Sequence, residues 1–271
     1  MAEVRIVTLY SGSGGNSTYV SVGNTAILID AGKSARTLCS GLIEIGSDIK
    51  NIKAIFITHE HTDHISALET ICKKNSIPIH MTEQSATRFD RTPDSAVHKC
   101  IVRHTPLFSE QVGEILVSSF RTPHDSKMSV GYRIEFELFG EKHAVGVATD
   151  IGYVSDSVRE GLCGCKAVVI EANHDITMLE DGPYPYDLKL RIRSNRGHLA
   201  NCDCASFAVD LAKEGTKAFM LAHLSEENNQ PDIALDEVSC AVSDFGACVI
   251  AADADIPTEL DLESVFGGGA L

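Results

Sequence analysis

One short stretch constrains this chain more than any other: Thr58-His59-Glu60-His61-Thr62-Asp63-His64. Upstream of it, Ile52 to Ile57 is a β-branched and aromatic run of the kind that forms a buried strand. Downstream, Ile65 to Cys72 carries apolar residues at helical spacing. Three imidazoles and a carboxylate therefore fall where a strand gives way to a helix, a place from which side chains on a rigid scaffold can converge on open space. His59 and His61 are two positions apart and point the same way at an extended strand end. Asp63 and His64 follow at the turn and can face a second point. Imidazole suits zinc, iron and manganese, and a carboxylate adds affinity for a hard cation. Two neighbouring ions account for the crowding of the donors better than a His-rich polar loop does.

The order His59-x-His61-x-Asp63-His64 after a hydrophobic strand resembles the signature of the metallo-β-lactamase-fold hydrolases. The resemblance implies an α/β (α+β) fold, a four-layer αββα sandwich, with a pair of metal ions at one edge. It extends along most of the chain and implies one domain over residues 1–271, with a loose tail at about 264–271. In Pro123-His124-Asp125, after the strand-like Val117 to Phe120, it implies that His124 joins His59 and His61 on one metal. Asp125 would then stand behind that metal or toward the substrate. Asp150, at the end of the strand His143 to Thr149, is implied as the carboxylate shared by both ions. In His223-Leu224-Ser225-Glu226-Glu227-Asn228-Asn229, it implies that His223 completes the second metal with Asp63 and His64. Asn16, Ser17 and Asp30 are expected to support the site without ligating, and so is the Glu171-Ala172-Asn173 segment. His174 could approach substrate or be structural.

The segment before Gly197-His198-Leu199-Ala200-Asn201 bears on the substrate. Lys189, Arg191, Arg193 and Arg196 concentrate positive charge there, in a chain with a formal net charge of −15. Such runs are most often solvated helix faces. This one, however, abuts a motif similar to that of the YycJ-like branch, with Ala200 in place of the usual Ser. The resemblance implies a nuclease or phosphodiesterase acting on DNA from a 5′ end. Arg191, Arg193, Arg196 and His198 would touch substrate, and His198 would serve as phosphate contact or general acid. Asp63 and His198 are the candidate catalytic groups. Two divalent cations, zinc by preference and manganese or iron as alternatives, would activate water and clamp developing charge.

The same machinery serves thioesters and small or cyclic phosphodiesters, so a thioesterase or a small phosphodiesterase remains an alternative. A regulatory protein with purely structural metals is a further one, disfavoured because such sites usually lack an open position. The acidic balance argues against broad adhesion to nucleic acid or anionic membrane, and leaves room for local contact with a DNA backbone. No apolar run reaches the ~18 residues that a membrane span requires. The opening residues show no signal-peptide core. The nine scattered cysteines fit reduced thiols in a cytoplasmic protein. Cys163-Gly164-Cys165 and Cys202-Asp203-Cys204 are expected to be buried or incidental thiols. His80, His98 and His104 each lack a second ligand at metal spacing in the sequence, so each is expected to be a surface or satisfied core residue.

Overall fold

The structure, a computed structural model, describes residues 4–266. The strands β1 (Val4–Tyr10), β2 (Ser17–Val22), β3 (Thr25–Ile29), β4 (Ile52–Phe56), β5 (Ile79–Thr82) and β6 (Ile101–His104) form one sheet in sequence order. The chain then crosses over. A second sheet follows, made of β7 (Ser109–Val112), β8 (Ile115–Arg121), β9 (Val130–Leu138), β10 (Glu141–Ala148), β11 (Ala167–Glu171), β12 (Ala218–Ala222) and β13 (Cys248–Ala251). Finally β14 (Thr258–Glu259) returns to pair antiparallel with β1. This last strand is two residues long, too short to leave a period in the sequence.

Three hydrophobic clusters define four layers. Phe56, Ile27 and Ile29 of the first sheet meet Tyr132, Ile134, Val147 and Met220 of the second, so the sheets pack face to face. Leu28, Ile55 and Ile79 point to the opposite face of the first sheet, where they meet Leu38, Leu42 and Leu68 from covering helices. On the second sheet Val168, Ile170 and Leu221 meet Val158, Phe207 and Val238 of the helices Asp156–Leu162, Asn201–Lys213 and Pro231–Val242. This is the αββα order expected from the resemblance. The apolar runs at residues 26–29 of β3, at residues 167–170 of β11 and along all of β12 follow from it, since a strand covered on both faces has no polar side to present.

The direction of the strands sets the position of the site. β3 to β6 pair in parallel, and so do β10 to β13. Each half therefore delivers several carboxyl-terminal strand ends to one edge, where open α/β sheets place their ligands. Asp30 follows β3, His59 follows β4, Asp150 follows β10, and His223 follows β12.

Part of the tail expectation is corrected. Glu263–Phe266 is a short helix, and Val265 and Phe266 pack on the core between the sheets. Apolar contact holds these residues, which sequence position alone marked as loose; residues 267–271 lie outside the described residues. All nine cysteines are free. Cys165 and Cys204 are buried, whereas Cys163 is exposed. Among the described residues, no helix is long and apolar enough to cross a membrane.

Tyr132 links the two sheets. It is fully buried, and its hydroxyl donates 2.6 Å to the carbonyl of Ile57, two residues before His59. Tyr132→Phe is expected to lower unfolding stability by about 1–3 kcal/mol, because the Ile57 carbonyl would stay buried without that donor. Urea unfolding followed by circular dichroism measures the difference.

Candidate active site

Three positions at the carboxyl ends of parallel strands take a left-handed backbone without being glycine: Asp30 (φ 62°), Asp150 (φ 56°) and His223 (φ 56°). Asp, Asn and His tolerate this region better than most residues, yet each instance is strained by about 1–3 kcal/mol. The surroundings hold them there. Asp30 N–H donates to Phe56 O, and Ser17 Oγ donates to Asp30 O. The residue after Asp150, Ile151, donates its N–H to Glu171 Oε2 at 2.6 Å. His223 N–H donates to Ser11 Oγ at 2.7 Å, while Asn173 Nδ2 donates to His223 O at 2.8 Å. Gly32 is required beside them, since a Cβ there would lie 2.0 Å from Asp63 O.

The imidazoles share one pattern. His64 Nδ1 lies 2.8 Å from Asp30 Oδ2, an acceptor only, so Nδ1 donates. Thr58 Oγ1 donates to the same carboxylate oxygen, which leaves it free to accept from His59 Nδ1 at 3.1 Å. His124 Nδ1 donates to Gly197 O at 3.1 Å. His223 Nδ1 lies 3.3 Å from Glu171 Oε1, and His198 Nδ1 donates to that oxygen at 2.7 Å. When neutral, a ring so anchored is fixed in the tautomer that leaves Nε2 with a lone pair.

Those Nε2 atoms converge with two carboxylates. His64 Nε2 is 3.2 Å from Asp63 Oδ2 and 3.3 Å from Asp150 Oδ2. His223 Nε2 is 3.8 Å from Asp63 Oδ2 and 3.5 Å from Asp150 Oδ1. His124 Nε2 is 3.7 Å from Asp150 Oδ1. His59, His61 and His124 form one set whose donor atoms lie within 4.8 Å of one another, and Asp63, His64 and His223 form another. His59, His64 and Asp150 form a set that overlaps both. All seven residues singled out as ligands in the sequence thus meet at one place, although His124, Asp150 and His223 are remote from the first motif along the chain.

The donor set fits divalent cations. His59 Nε2, His223 Nε2 and Asp150 Oδ2 are buried with no hydrogen-bond partner, an expensive arrangement unless the atoms serve a ligand. Anchoring of the far ring nitrogen by a carboxylate, carbonyl or hydroxyl is how metal-binding imidazoles are oriented. Electrostatics agree. Burial drives His64 and His223 toward the neutral form, but Asp30 and Asp150 for His64, and Asp150 and Asp63 for His223, outweigh it and hold both well above the usual imidazole value. Burial raises Asp150, and the surrounding imidazoles outweigh it and keep the carboxyl ionised. A field that retains protons in this way favours any cation, and a divalent ion at the same point displaces them.

Glu171 anchors the imidazoles, although its carboxylate also falls in a donor group with Asp150, His198 and His223. Oε1 faces the two imidazoles, and Oε2 accepts from the Ile151 and Leu199 N–H groups. Burial raises its pKa, His198 and His223 more than reverse this, and it sits at about 2. His198 shows the converse: burial lowers it, and Glu171 more than restores it, to above the usual value. Asn16 supports the site as expected, donating Nδ2 to Asp63 Oδ2 at 3.2 Å.

His198 lines a cavity of about 210 Å³ with Ser13, Tyr184, Leu188, Arg191 and His223. Of the expected basic strip, only Arg191 lines this cavity, and it is paired there with Asp125, Nε to Oδ2 at 2.7 Å. Arg193 pairs with Glu180 at 2.6 Å, and Arg196 donates to the His124 and Ser126 carbonyls at 3.4 Å. Lys189 Nζ donates to the Glu180 and Gly182 carbonyls at 2.7 Å. The strip is a set of engaged cations, whose partners are too far away in sequence, or too generic as backbone carbonyls, to be read from it. Sequence reasoning also missed Thr58 and Gly197 as anchors and Tyr184 and Leu188 as cavity wall. The Thr preceding His59 at a strand end was the one available signal.

Fold and donor set together define a hydrolase-type metal centre, and comparison with known proteins agrees. Residues 25–224 match the Beta-lactamase superfamily domain, and the chain belongs to that family. It is 32% identical over 247 residues to Exodeoxyribonuclease YycJ of Bacillus anthracis, covering 88% of this chain and 89% of that one. It is 34% identical over 242 residues to Exodeoxyribonuclease WalJ of Streptococcus pneumoniae serotype 2 (strain D39 / NCTC 7466), covering 86% and 87%. Among solved structures, the metallo-beta-lactamase fold protein YhfI from Bacillus subtilis superposes with a TM-score of 0.72 at 18% identity, over 95% of this chain and 100% of that one. Human tRNase Z, short form, gives 0.60 at 16% identity, over 92% and 97%. At such identities these two show the fold alone.

His174 is buried, with Nδ1 unpartnered. Burial, the largest influence, brings its pKa to about 4 from the ordinary 6.5. Between those values the unfolded chain holds the proton and the folded chain does not, so acid favours unfolding. The contribution is fully present above pH 6.5 and is lost as the pH falls toward 4, a change of about 3 kcal/mol. His174→Gln is therefore expected to flatten the fall in stability across that interval, read from denaturant midpoints at successive pH values.

Proposed function

We propose that this chain is a metal-dependent nuclease that hydrolyses phosphodiester bonds of DNA, working from a 5′ end. The observation that carries the reading is His198, hung by Nδ1 from the buried Glu171 beside Asp150 and lining the cavity next to the donor cluster. The relatives that cover most of the chain bear exodeoxyribonuclease names, which supports DNA over the thioester and small phosphodiester alternatives.

His59, His61 and His124 would hold one divalent ion, Asp63, His64 and His223 the other, and Asp150 both; zinc suits these donors, and manganese or iron also would. Bound there, the ions would acidify water and stabilise the charge that develops on the phosphoryl group. The chain supplies the rest. Asp63, its Oδ2 fixed by Asn16, orients the attacking water and accepts its proton. His198, held protonated by Glu171, presents Nε2–H to the departing oxygen and gives up that proton as the bond to phosphorus breaks. Arg191 leaves Asp125 for a substrate phosphate, an exchange made cheap because an exposed ion pair contributes only about 0–1 kcal/mol. Tyr184 and Leu188 offer an aromatic and an apolar surface to a terminal base. Arg193 and Arg196 steer the strand from the rim.

Two variants test the assignment with a 5′-labelled DNA substrate and metal analysis of the same preparations. His223→Ala is expected to lose bound metal and cleavage together. His198→Ala is expected to keep its metal and lose about 10²–10⁴-fold in rate. Failure of the metal-loaded wild type to cleave single-stranded or duplex DNA, with metal content normal, would overturn the reading.

A further inference from the structure

A second cluster of metal-type donors lies away from this centre. His80, His104 and Glu110 each offer a donor atom, and these atoms lie within 4.8 Å of one another. The sequence expectation that His80 and His104 stand alone is therefore corrected. Parallel pairing of β5 with β6 sets His80 against Val102 and Thr82 against His104, which brings the rings together although they are 24 positions apart in the chain. Glu110 comes from β7, in the other sheet. The cluster straddles the crossover 105–108, where the chain leaves one sheet for the other.

We propose that His80, His104 and Glu110 bind a divalent cation of the zinc type, which clips the two sheets together at this edge. The rings are set for it. Phe56 stacks on His80 with centroids 4.7 Å apart, His80 on His104 at 5.2 Å, and His104 on Phe108 at 3.9 Å, all within 19° of parallel. This four-ring column fixes the planes of the two imidazoles. His80 Nδ1 and His104 Nε2 are 3.0 Å apart. Two imidazole donors on a tetrahedral zinc ion stand about 3.3 Å apart for Zn–N bonds of ~2.0–2.1 Å, close to this separation, and turning the rings within their planes would aim both lone pairs at one ion. Burial holds His80 neutral, with a pKa of about 4, and lowers His104 as well, so both rings carry a lone pair at neutral pH. Without a cation, one ring donates a single hydrogen bond to the other. The Glu110 carboxylate, meanwhile, accepts no hydrogen bond from any described residue. An ion engages all three groups at once. Two imidazoles and one carboxylate form a donor set that zinc accepts, with a fourth position left for water.

The site also bears on the catalytic edge. Ile57 N–H donates to the His80 carbonyl at 2.9 Å, so the backbone that carries His80 is hydrogen-bonded to the strand end leading into His59. The proposal does not depend on the nuclease reading.

The test uses the full chain, stripped by chelator and reloaded with Zn²⁺ alone. Bound zinc is counted by elemental analysis, and thermal stability is measured with and without zinc. Glu110→Gln and His104→Gln are each expected to bind one equivalent less than wild type and to lose part of the zinc-dependent rise in melting temperature. Neither residue touches the catalytic centre, so DNA cleavage is expected to stay unchanged. Should His104→Gln fail to fold, the half-exposed Glu110→Gln decides, with ¹¹³Cd NMR of cadmium-loaded protein counting resonances directly. Equal zinc content in wild type and Glu110→Gln, with the same number of cadmium resonances, would overturn the proposal and leave a hydrogen-bonded histidine pair. Loss of zinc in His223→Ala but not in Glu110→Gln would likewise locate all the zinc in the first site.

Discussion

Asp30 and Glu171 are buried carboxylates, and the candidate centre depends on how they are satisfied. An ionised carboxyl taken out of water is costly unless every lone pair is engaged. Asp30 receives the Thr58 N–H, the Thr58 hydroxyl and His64 Nδ1. Glu171 receives two backbone N–H groups and faces two imidazoles. In each case the satisfied carboxylate turns an imidazole so that its other nitrogen looks into the cluster. One buried acid per sheet thus orients donors that lie far apart in the chain, and the left-handed residues beside them are tolerated because the same bonds hold the backbone.

This arrangement explains which parts were legible beforehand. The first motif could be read because a hydrophobic strand, a turn and a helix are local, and because four donors within six residues have few other uses. The four-layer order followed from the family resemblance and from strands that are apolar on both faces. His124, Asp150 and His223 rested on resemblance alone. No local pattern separates Asp150 from an ordinary helix-capping Asp, and what sets it apart, a φ of 56° at a parallel strand end, is a property of the fold. The His80 and His104 pairing was invisible for a related reason. It depends on register between two strands, and a one-residue slip would turn every side chain of one of them to the other face.

The basic segment differs in the fold from the pattern of its charges. Counting Lys189, Arg191, Arg193 and Arg196 suggests a surface of free positive charge, but a chain with 38 acidic and 23 basic residues leaves few cations without a partner nearby. What matters is how tightly each is held. Lys189 and Arg196 bond to carbonyls and act as struts of the 184–197 segment. Arg191 is bound only to Asp125, at an exposed pair that water competes for.

Asp125 joins the wall of the cavity to the donor cluster. Its Oδ2 holds Arg191, while its Oδ1 lies 3.3 Å from His124 Nε2. Gly197 O anchors the same imidazole from the far side, and Arg196 reaches the His124 carbonyl. The segment that closes the cavity is therefore fastened to the donor cluster through one histidine and its neighbour. A phosphate that drew Arg191 away would leave Asp125 Oδ2 without its cation, and the uncompensated carboxylate would strengthen the local negative potential where cations would sit. On the proposed reading, substrate contact and metal affinity would be coupled through that single carboxylate, and the coupling would run both ways because it is a free energy shared between two binding events.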